Sequence, residues 1–171
     1  TPDALIRGAL GHLARRHGFG RAVFALLSPD RSRLHGRYFD GAPGESAIRD
    51  LEIPLEDGAP LARALAEGAP VWVGEPRAGG AGADEIVRGT PLPTPCFLAP
   101  VQMRGKPVGL LCADGRGAAK VLDRAAYAGF LQVWQSLESQ LGSLAALAAP
   151  SCTPGAPGAS SAPEGASPPT E

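Results

Sequence analysis

Cysteine is scarce in this chain, and the few cysteines are not spaced as a metal site or a disulfide framework requires. The 171 residues include Cys96, Cys112 and Cys152, with no CxxC pair. An odd count without that spacing argues against both a disulfide scaffold and a structural zinc site. Because free cysteine usually packs as a small apolar residue, we expect Cys96 and Cys112 in the core and Cys152 exposed in a tail.

Long apolar runs and an excess of one charge are also missing. No apolar run reaches the ~18 residues that a membrane-spanning helix needs, and the chain does not start with a charged and then apolar leader. The formal net charge is -1, from 16 basic and 17 acidic residues scattered along the sequence. We therefore expect no membrane partner, no nucleic-acid partner and a cytoplasmic location.

The motifs that usually carry catalysis are absent as well. There is no GxxxxGK[ST] phosphate loop and no GxSxG nucleophile elbow. The histidines His12, His17 and His35 are not spaced as a set of metal ligands. The glycines of AGGAGADEIVRG could expose backbone N–H groups to an anion, although a flexible loop is the more ordinary interpretation. We expect no enzyme activity and no metal site.

The most informative stretch that is present, CFLAPVQMRGKPVGLLCADGR at residues 96–116, predicts a β-hairpin. Gly105 tolerates the positive φ of a tight turn, and the flanking Val101, Val108 and Leu110 suit a pleated surface. Both arms are apolar on both faces instead of alternating with polar residues. The pattern therefore places both arms inside a sheet that is covered on each side.

The remaining patterns predict helices and strands in a definite order. An amphipathic helix capped by Thr1 comes first, followed by strands at about 22–27 and 33–39. A short helix in GAPLARALAEG precedes a strand at 70–73, and residues 74–95 form a long connection with at most one helical turn. A final helix covers 122–147. We predict one domain at residues 1–148 and a disordered Pro/Gly/Ser/Ala-rich tail at 149–171.

Three patterned blocks together resemble a known family. GFGRAVFALLSPDRSRLHGRY, then PLARALAEGAPVWV, then FLAPVQMRGKPVGLLCADGR followed by a helix resemble a GAF domain of the type attached to bacterial signalling proteins. The resemblance implies an α+β, GAF-like (PAS-related) fold with an antiparallel β-sheet of about five to six strands. It implies terminal helices on one face, a pocket and lid segment on the other, and a regulatory role towards an attached signalling domain.

Residues that mark particular ligands in this family are mostly missing. Bilin-binding members commonly have Cys followed by His, whereas Cys96 precedes Phe97 and Cys112 precedes Ala113. The chain has no Asn, so it lacks the Asn-Lys-x(n)-Phe-x(3)-Asp-Glu pattern of cyclic-nucleotide-binding members. Two core cysteines do not meet the cysteine set of the methionine-sulfoxide-reducing members. The ligand or cofactor therefore stays unidentified, and the resemblance gives little support for catalysis.

Strand geometry nominates the residues that would line the implied pocket. The candidates are strand residues on the face away from the terminal helices, with residues 74–95 laid over them. In the hairpin, an even-numbered turn places Cys112 on the face of Phe97 and Cys96 on the other face, so no disulfide is expected. The ordinary alternative for each candidate is a solvated or core position. The candidate ligand-binding residues are His35, Arg37, Phe39, Trp72, Arg88, Phe97, Leu110 and Cys112.

The final helix carries an apolar seam with coiled-coil spacing. Its members recur at alternating spacings of three and four, and a helix of ~39 Å would extend beyond a typical strand of ~20 Å. We expect a homodimer through this helix. The alternative is that the helix folds onto the opening helix of its own chain. The predicted interface residues are Tyr127, Phe130, Trp134, Leu137, Leu141 and Leu144.

Two functional classes follow from these patterns, with a thiol enzyme a distant third. In the first, an unidentified small molecule binds beneath the lid and biases the terminal helices between two arrangements. In the second, the chain's own side chains fill the pocket, and the domain serves dimerisation or protein interaction. An enclosed space of about 300 Å³ or more favours the first class, and a packed face favours the second.

Overall fold

The structure, a computed structural model, describes residues 1–41, 51–76 and 81–149. The predicted tail lies outside these ranges apart from Ala149, and so does Cys152. The elements in chain order are α1 (Pro2–Arg15), β1 (Arg21–Leu27), β2 (Arg33–Gly41), β3 (Glu52–Pro54), α2 (Pro60–Glu67), β4 (Val71–Val73), α3 (Ala81–Val87), β5 (Cys96–Met103), β6 (Lys106–Asp114) and α4 (Arg124–Leu147). This order confirms the predicted α+β class.

The described strands form one antiparallel sheet in the order β3-β2-β1-β6-β5-β4. Strand β6 lies between β1 and β5, and β5 lies between β6 and β4, which confirms the interior position predicted for both hairpin arms. Arg104 and Gly105 form the turn between them with φ of 54° and 71°. Two positive φ angles in a two-residue turn give the twist that suits antiparallel strands.

Helices α1 and α4 pack side by side on one face of the sheet, which we call the helix face; the opposite face is the distal face. Thr1 caps α1 by accepting the Ala4 N–H, and Asp123 caps α4 by accepting the Ala126 N–H at 2.7 Å. The Thr1 cap was predicted from the sequence. The helix-face core includes Leu10, Leu13, Phe19, Phe24, Phe97, Leu111 and Phe130. The terminal helices therefore share one face, as predicted.

Helix α4 runs alongside β5 from one end of the strand to the other. Four pairs meet in the same order along both elements: Tyr127 with Phe97, Trp134 with Pro100, Glu138 with Gln102, and Ala145 with Arg104. Because the last pair includes the β5–β6 turn, the described helix ends about level with the sheet. The predicted extension beyond the sheet is not seen in the described part of α4.

The seam predicted for a dimer interface packs instead against its own protomer. Phe130, Leu137 and Leu141 are at most 2% exposed, and Tyr127, Trp134 and Leu144 are half-buried. The physical reason is that the spacing of three and four also suits a helix lying on a sheet beside a second helix. The alternative, packing of α4 against α1, is the arrangement observed.

A β-bulge in the hairpin decides which face its side chains occupy. Val101 pairs with Gly109 but Gln102 pairs with Pro107, so β6 has one extra residue between these pairs. An extra residue inverts the alternation beyond it. Cys112 consequently pairs with Leu98 and lies on the same face as Cys96, so the prediction that it shares a face with Phe97, with Cys96 on the other face, is wrong.

A second bulge lies between β1 and β2. Phe24 pairs with Tyr38 while Ala25 pairs with Gly36, which leaves Arg37 as the extra residue on β2. The bulge sends Tyr38 to the helix face and Phe39 to the distal face. The side-chain pattern of β2 therefore changes face along the strand, which strict alternation from the sequence does not predict.

Candidate functional site

The distal face carries a contiguous cluster of buried side chains beneath α2 and α3, which we call the distal cluster. Helix α2 starts with Pro60 and ends at Gly68 in the left-handed conformation, with φ of 69°. Its Leu61 and Leu65 lie one turn apart and face the sheet, where they meet the strands. The distal cluster consists of Val23, Ala25, Leu34, Ile53, Leu61, Leu65, Val73, Val87, Cys96, Leu98, Leu110 and Cys112.

The long connection predicted to act as a lid does cover part of this cluster. Ile86, Val87 and Leu92 pack against it from residues 74–95, of which 77–80 lie outside the described ranges. Helix α3 is nearly two turns long, so the expectation of at most one turn is wrong. Packing of Ile86 and Val87, together with a 2.9 Å hydrogen bond from the Gly74 N–H to Asp84, supports the longer helix.

Three of the eight predicted ligand residues lie together on the distal face. Leu110 and Cys112 are buried on β6, and Phe39 packs against the cluster half-buried on β2. The two strands that carry them, β2 and β6, flank β1 in the sheet. The structure therefore places part of the predicted set at the predicted face.

Trp72 and Phe97 lie on the other side of the sheet, contrary to their nomination as pocket residues. They pair across β4 and β5, and their rings meet edge-on at 5.3 Å within the helix-face core. Because of the hairpin bulge, Cys112 lies on the distal face while Phe97 lies on the helix face. Two residues expected on one face are thus separated by the thickness of the sheet.

His35, Arg37 and Arg88 are exposed, so they do not line a buried site among the described residues. His35 points away from the distal cluster because it adjoins Leu34, which is inside it. Arg37 is the extra residue of the β2 bulge. Arg88 follows α3 and forms an exposed ion pair with Glu85 at 3.4 Å. An exposed pair of this kind contributes little to stability.

The two cysteines of the distal cluster are the reactive groups that the structure brings together. Cys96 is fully buried and Cys112 is 3% exposed, and both are free thiols. A hydrogen bond with Cys96, reinforced by burial, raises the pKa of the Cys112 thiol well above its usual value. A protonated thiol is a poor nucleophile, so the environment of this pair suits packing better than thiolate chemistry.

One ion pair at the end of the distal cluster was missed by the sequence analysis. Arg21 Nε donates to Asp114 Oδ2 at 2.8 Å, and the Asp114 side chain is 2% exposed. Asp114 Oδ1 also accepts the Arg116 N–H at 2.8 Å. The alternation of Leu110, Cys112 and Asp114 along β6 was the available signal, since residues two apart share a face.

Neither a metal cluster nor a membrane-crossing helix occurs in the described ranges. No group of three or more His, Cys, Asp or Glu side chains within residues 1–41, 51–76 and 81–149 is placed to hold a metal ion. No described helix is long and apolar enough to span a bilayer.

Comparison with known proteins adds information about the fold. No protein-family model matches the sequence, and no curated protein matches it. A solved structure of residues 122 to 287 of a methyl-accepting chemotaxis protein is similar at a TM-score of 0.66 and 14% identity, covering 87% of this chain and 93% of that one. The photoproduct state of GAF3 from Slr1393 of Synechocystis sp. PCC6803 is similar at 0.60 and 18%, covering 86% and 98%.

An enzyme also has this fold. The free methionine-R-sulfoxide reductase from Neisseria meningitidis, solved with its substrate, is similar at a TM-score of 0.58 and 20% identity, covering 85% of this chain and 81% of that one. Identities this low establish the shape of the chain and leave its activity open. The chain has the GAF-domain fold that the resemblance implied.

Proposed function

We propose that this chain is a regulatory sensor domain of a signalling protein. A small, largely apolar molecule binds at the distal cluster, and the terminal helices carry the response to an attached signalling domain. The likeness to a chemotaxis protein and to a GAF domain of a bacterial protein supports this general role.

The observation that carries the proposal is that β5 and β6 contribute alternate side chains to the cores on both faces of the sheet. On β5, Cys96 and Leu98 face the distal cluster, whereas Phe97 and Ala99 face the helix side. The same strand meets α4 at three points along its length, and the turn that follows it meets α4 at a fourth. A change of packing on the distal side therefore reaches α4 through the width of one strand.

For such a change to act as a signal, the ligand must bind one arrangement of the strands and α4 more tightly than another. Close-packed interiors pass a small displacement on to their neighbours, because there is little free volume to absorb it. The contact between Trp134 Nε1 and the Pro100 carbonyl, at 2.9 Å, ties the middle of α4 to the middle of β5. We assign this part of α4 to signal transmission.

The proposed role includes a homodimer in the cytoplasm, with α4 at the dimer contact. The surfaces of α4 that its own sheet leaves free are available for this contact, and they include the half-buried Leu144 and the 83% exposed Leu147. A dimer would couple the ends of two α4 helices, which is a direct way to present a helix movement to a following domain.

A regulatory role fits the cysteine chemistry better than catalysis. Reduction of a sulfoxide by a thiol needs a reactive thiolate, and the buried Cys112 has a raised pKa. Its neighbour Cys96 is buried too. We therefore propose that this chain is not an enzyme, although it shares the fold of the methionine sulfoxide reductase.

Native mass spectrometry of freshly purified protein tests the ligand. The expected result is an added mass that remains in the native spectrum and is lost on denaturation. Leu92, half-buried at the rim of the distal cluster, provides a variant, Leu92→Glu, that should lose the added mass. Leu147→Glu places the same charge at an exposed position and should keep it. Equal occupancy in both variants would contradict binding at the distal face.

A second candidate is a dimerisation or protein-interaction module whose distal face is filled by its own side chains. Tight packing favours it: Leu34, Leu98 and Leu110 are at most 2% exposed. This role predicts no added mass in the native spectrum together with a dimer in sedimentation equilibrium at micromolar concentration. A monomer that carries no small molecule would contradict both candidates.

A further inference from the structure

A crevice of about 280 Å³ lies between α1 and α4. Its wall on α4 carries Gln132, Ser136 and Gln140, which follow one another at a spacing of four and therefore share one side of that helix. Its wall on α1 includes His12, and His17 lines it just beyond the end of that helix. The volume is just below the ~300 Å³ at which sites for organic molecules begin, so the crevice suits a small ligand.

The two histidine rings meet at the end of the crevice where α1 terminates. Their centroids are 5.2 Å apart. The backbone brings them together, because the His17 N–H donates to the His12 carbonyl at 3.2 Å. Gly129 of α4 makes room for the second ring, since a Cβ at this position would lie 2.5 Å from His17 Nδ1. The His17 ring is therefore held between His12 and α4.

Several side chains of the crevice can donate hydrogen bonds to a bound group. The described part of the chain supplies no hydrogen-bond partner to the His17 ring. Gln140 Nε2 donates to Ser136 Oγ at 2.8 Å, so the Ser136 hydroxyl hydrogen can still turn towards another acceptor. Gln132 adds a side-chain amide with two donor hydrogens. Donors therefore come from both walls.

The charged groups that act on the His17 ring are all basic. Burial, followed by the neighbouring His12, Lys120 and Arg16, lowers the pKa of this imidazole. Lys120 comes from the segment before α4, where its Nζ lies 5.5 Å from the centre of the Phe19 ring. Protonation of His17 in the empty crevice therefore adds a positive charge among positive neighbours, which is unfavourable.

The carboxylates of the elements around the crevice are committed elsewhere. Asp40 of β2 pairs with Arg15 at 3.2 Å. Asp3, in the first turn of α1, accepts the hydroxyl of Tyr38. Glu138 of α4 accepts a backbone N–H of β5, on the sheet side of the helix. None of these acids is among the residues that line the crevice or that act on the pKa of the upper ring, at position 17.

We propose that this crevice binds a small doubly charged oxyanion of the sulfate or phosphate class and takes up a proton with it. The two imidazoles and the Ser136 hydroxyl donate to the anion, while Lys120 and Arg16 add favourable charge. The site is on the opposite side of the sheet from the distal cluster, so it does not depend on the function proposed above. Its occupant would bridge the two terminal helices.

The coupling to a proton follows from the same charges. A bound anion attracts the proton of the imidazole, so the pKa of His17 should rise when the site is filled. By linkage, the affinity for the anion must then increase on acidification, by up to about tenfold for each proton taken up and each pH unit.

Sulfate is the probe of choice because its charge stays constant between about pH 5.5 and about pH 8, where histidine titrates. The ring signals of the three histidines are followed by NMR in the full chain, at an ionic strength held constant with sodium chloride. We expect saturable shifts of the His12 and His17 signals, a Kd at least about tenfold lower at the acidic pH, and an upward move of the His17 titration midpoint. Dimethyl sulfone, a neutral molecule of similar shape, should cause no saturable shift.

His17→Gln should weaken sulfate binding at about pH 5.5 by about tenfold and remove most of its pH dependence. His35→Gln is the matched control, because His35 is exposed on β2 and should leave both properties unchanged. Lys120→Gln keeps both rings and should weaken binding a few-fold, whereas Lys106→Gln, at the hairpin turn, should not. Thermal unfolding of the four variants checks that the fold is kept.

Inorganic phosphate and phenyl phosphate distinguish two sources of the anion. Tighter binding of the first identifies a free ion as the ligand, and tighter binding of the second identifies a phosphorylated molecule; the proposal holds with either. Three results would overturn it: a shift that grows linearly with sulfate, equal affinity at the two pH values, or equal weakening in the two histidine variants.

Discussion

Glu138 of α4 accepts a hydrogen bond from the backbone N–H of Gln102 at 2.7 Å, beside the hairpin bulge. Bulges leave backbone groups of the ladder without a strand partner, and here a side chain from the covering helix supplies one. The same carboxylate is partly buried, and desolvation raises its pKa. Glu138 therefore supplies the acceptor that the Gln102 N–H needs, but its carboxylate is held where water solvates it poorly.

Replacing Glu138 separates these two effects. Glu138→Ala should lower the free energy of unfolding by about 1 kcal/mol, because the Gln102 N–H loses its acceptor. Glu138→Gln keeps an acceptor and removes the charge, so at neutral pH it should be at least as stable as the wild type. Urea unfolding of the three proteins measures this. A glutamine variant as unstable as the alanine variant would contradict it.

The difference in stability between Glu138→Gln and the wild type should change with pH in a defined direction. Because the pKa of Glu138 is raised on folding, the folded chain binds its proton more tightly than the unfolded chain. The contribution of Glu138 to stability is then fully present below the unfolded pKa and is lost as pH rises through the folded pKa. The advantage of Glu138→Gln over the wild type should therefore shrink when unfolding is measured at about pH 4 instead of about pH 7. An advantage that grows on acidification would show the opposite shift.

The thiols of Cys96 and Cys112 should react slowly in the folded protein. Both are nearly inaccessible, and a protonated, buried thiol is neither reachable nor nucleophilic. In a Cys152→Ser background, labelling by dithionitrobenzoate should proceed no faster than the chain opens. Adding denaturant beyond the unfolding midpoint should make both thiols react at once. Rapid labelling of one thiol per chain in the absence of denaturant would contradict the burial of this pair.

Two leucines of α4 provide a matched test of the helix position. Leu141 is 2% exposed and Leu147 is 83% exposed. Leu141→Ala should lower the free energy of unfolding by about 3 kcal/mol, through lost burial and the cavity left behind, whereas Leu147→Ala should change it by less than about 0.5 kcal/mol. Chemical unfolding of both variants measures the difference. Similar small losses in both would mean that the seam of α4 does not lie on its own sheet.

Two glycines should respond to alanine in opposite directions. A Cβ at Gly142 in α4 would meet nothing within 4 Å, so Gly142→Ala should raise the free energy of unfolding by about 0.5–1 kcal/mol through helix propensity. A Cβ at Gly109 in β6 would lie 2.5 Å from the Ala25 carbonyl oxygen and 2.6 Å from the Phe24 ring. Gly109→Ala should therefore cost about 2 kcal/mol or more, because a central strand would have to move. The ranking is read from the unfolding midpoints of the two variants, and a reversed ranking would contradict this packing.

The order and type of the elements were readable from the sequence because each rests on a local signal. Thr1 and Asp123 mark the helix starts, Gly68 marks the end of α2, and Gly105 allows the hairpin turn. These signals act within a few residues of one another. The antiparallel sheet and the shared face of the terminal helices then followed from the family resemblance and not from the local patterns.

The candidate site was less predictable because it depends on counting residues along strands without error. Both bulges change the count: the extra residue on β6 moves Cys112 to the distal face, and the extra residue on β2 exposes Arg37. A signal for the first bulge was present in Pro107, since proline inside a strand is typical of edges and bulges. Strict alternation, applied past Pro107, placed Phe97 and Cys112 together. The seam of α4 was ambiguous for a different reason, since the same spacing serves a partner helix and a sheet.

The centre of the sheet joins distant parts of the chain. Arg21 and Asp114, paired across β1 and β6, are 93 residues apart, whereas β5, β6 and α4 follow one another directly. The hairpin and its helix can assemble from neighbouring sequence. The pairing of β1 with β6 instead requires closure of a long loop, whose entropic cost comes before any stabilising contact forms. The rate of folding should therefore be set by the arrival of β1 at β6, and the amides between these strands should exchange with solvent only when the whole domain opens.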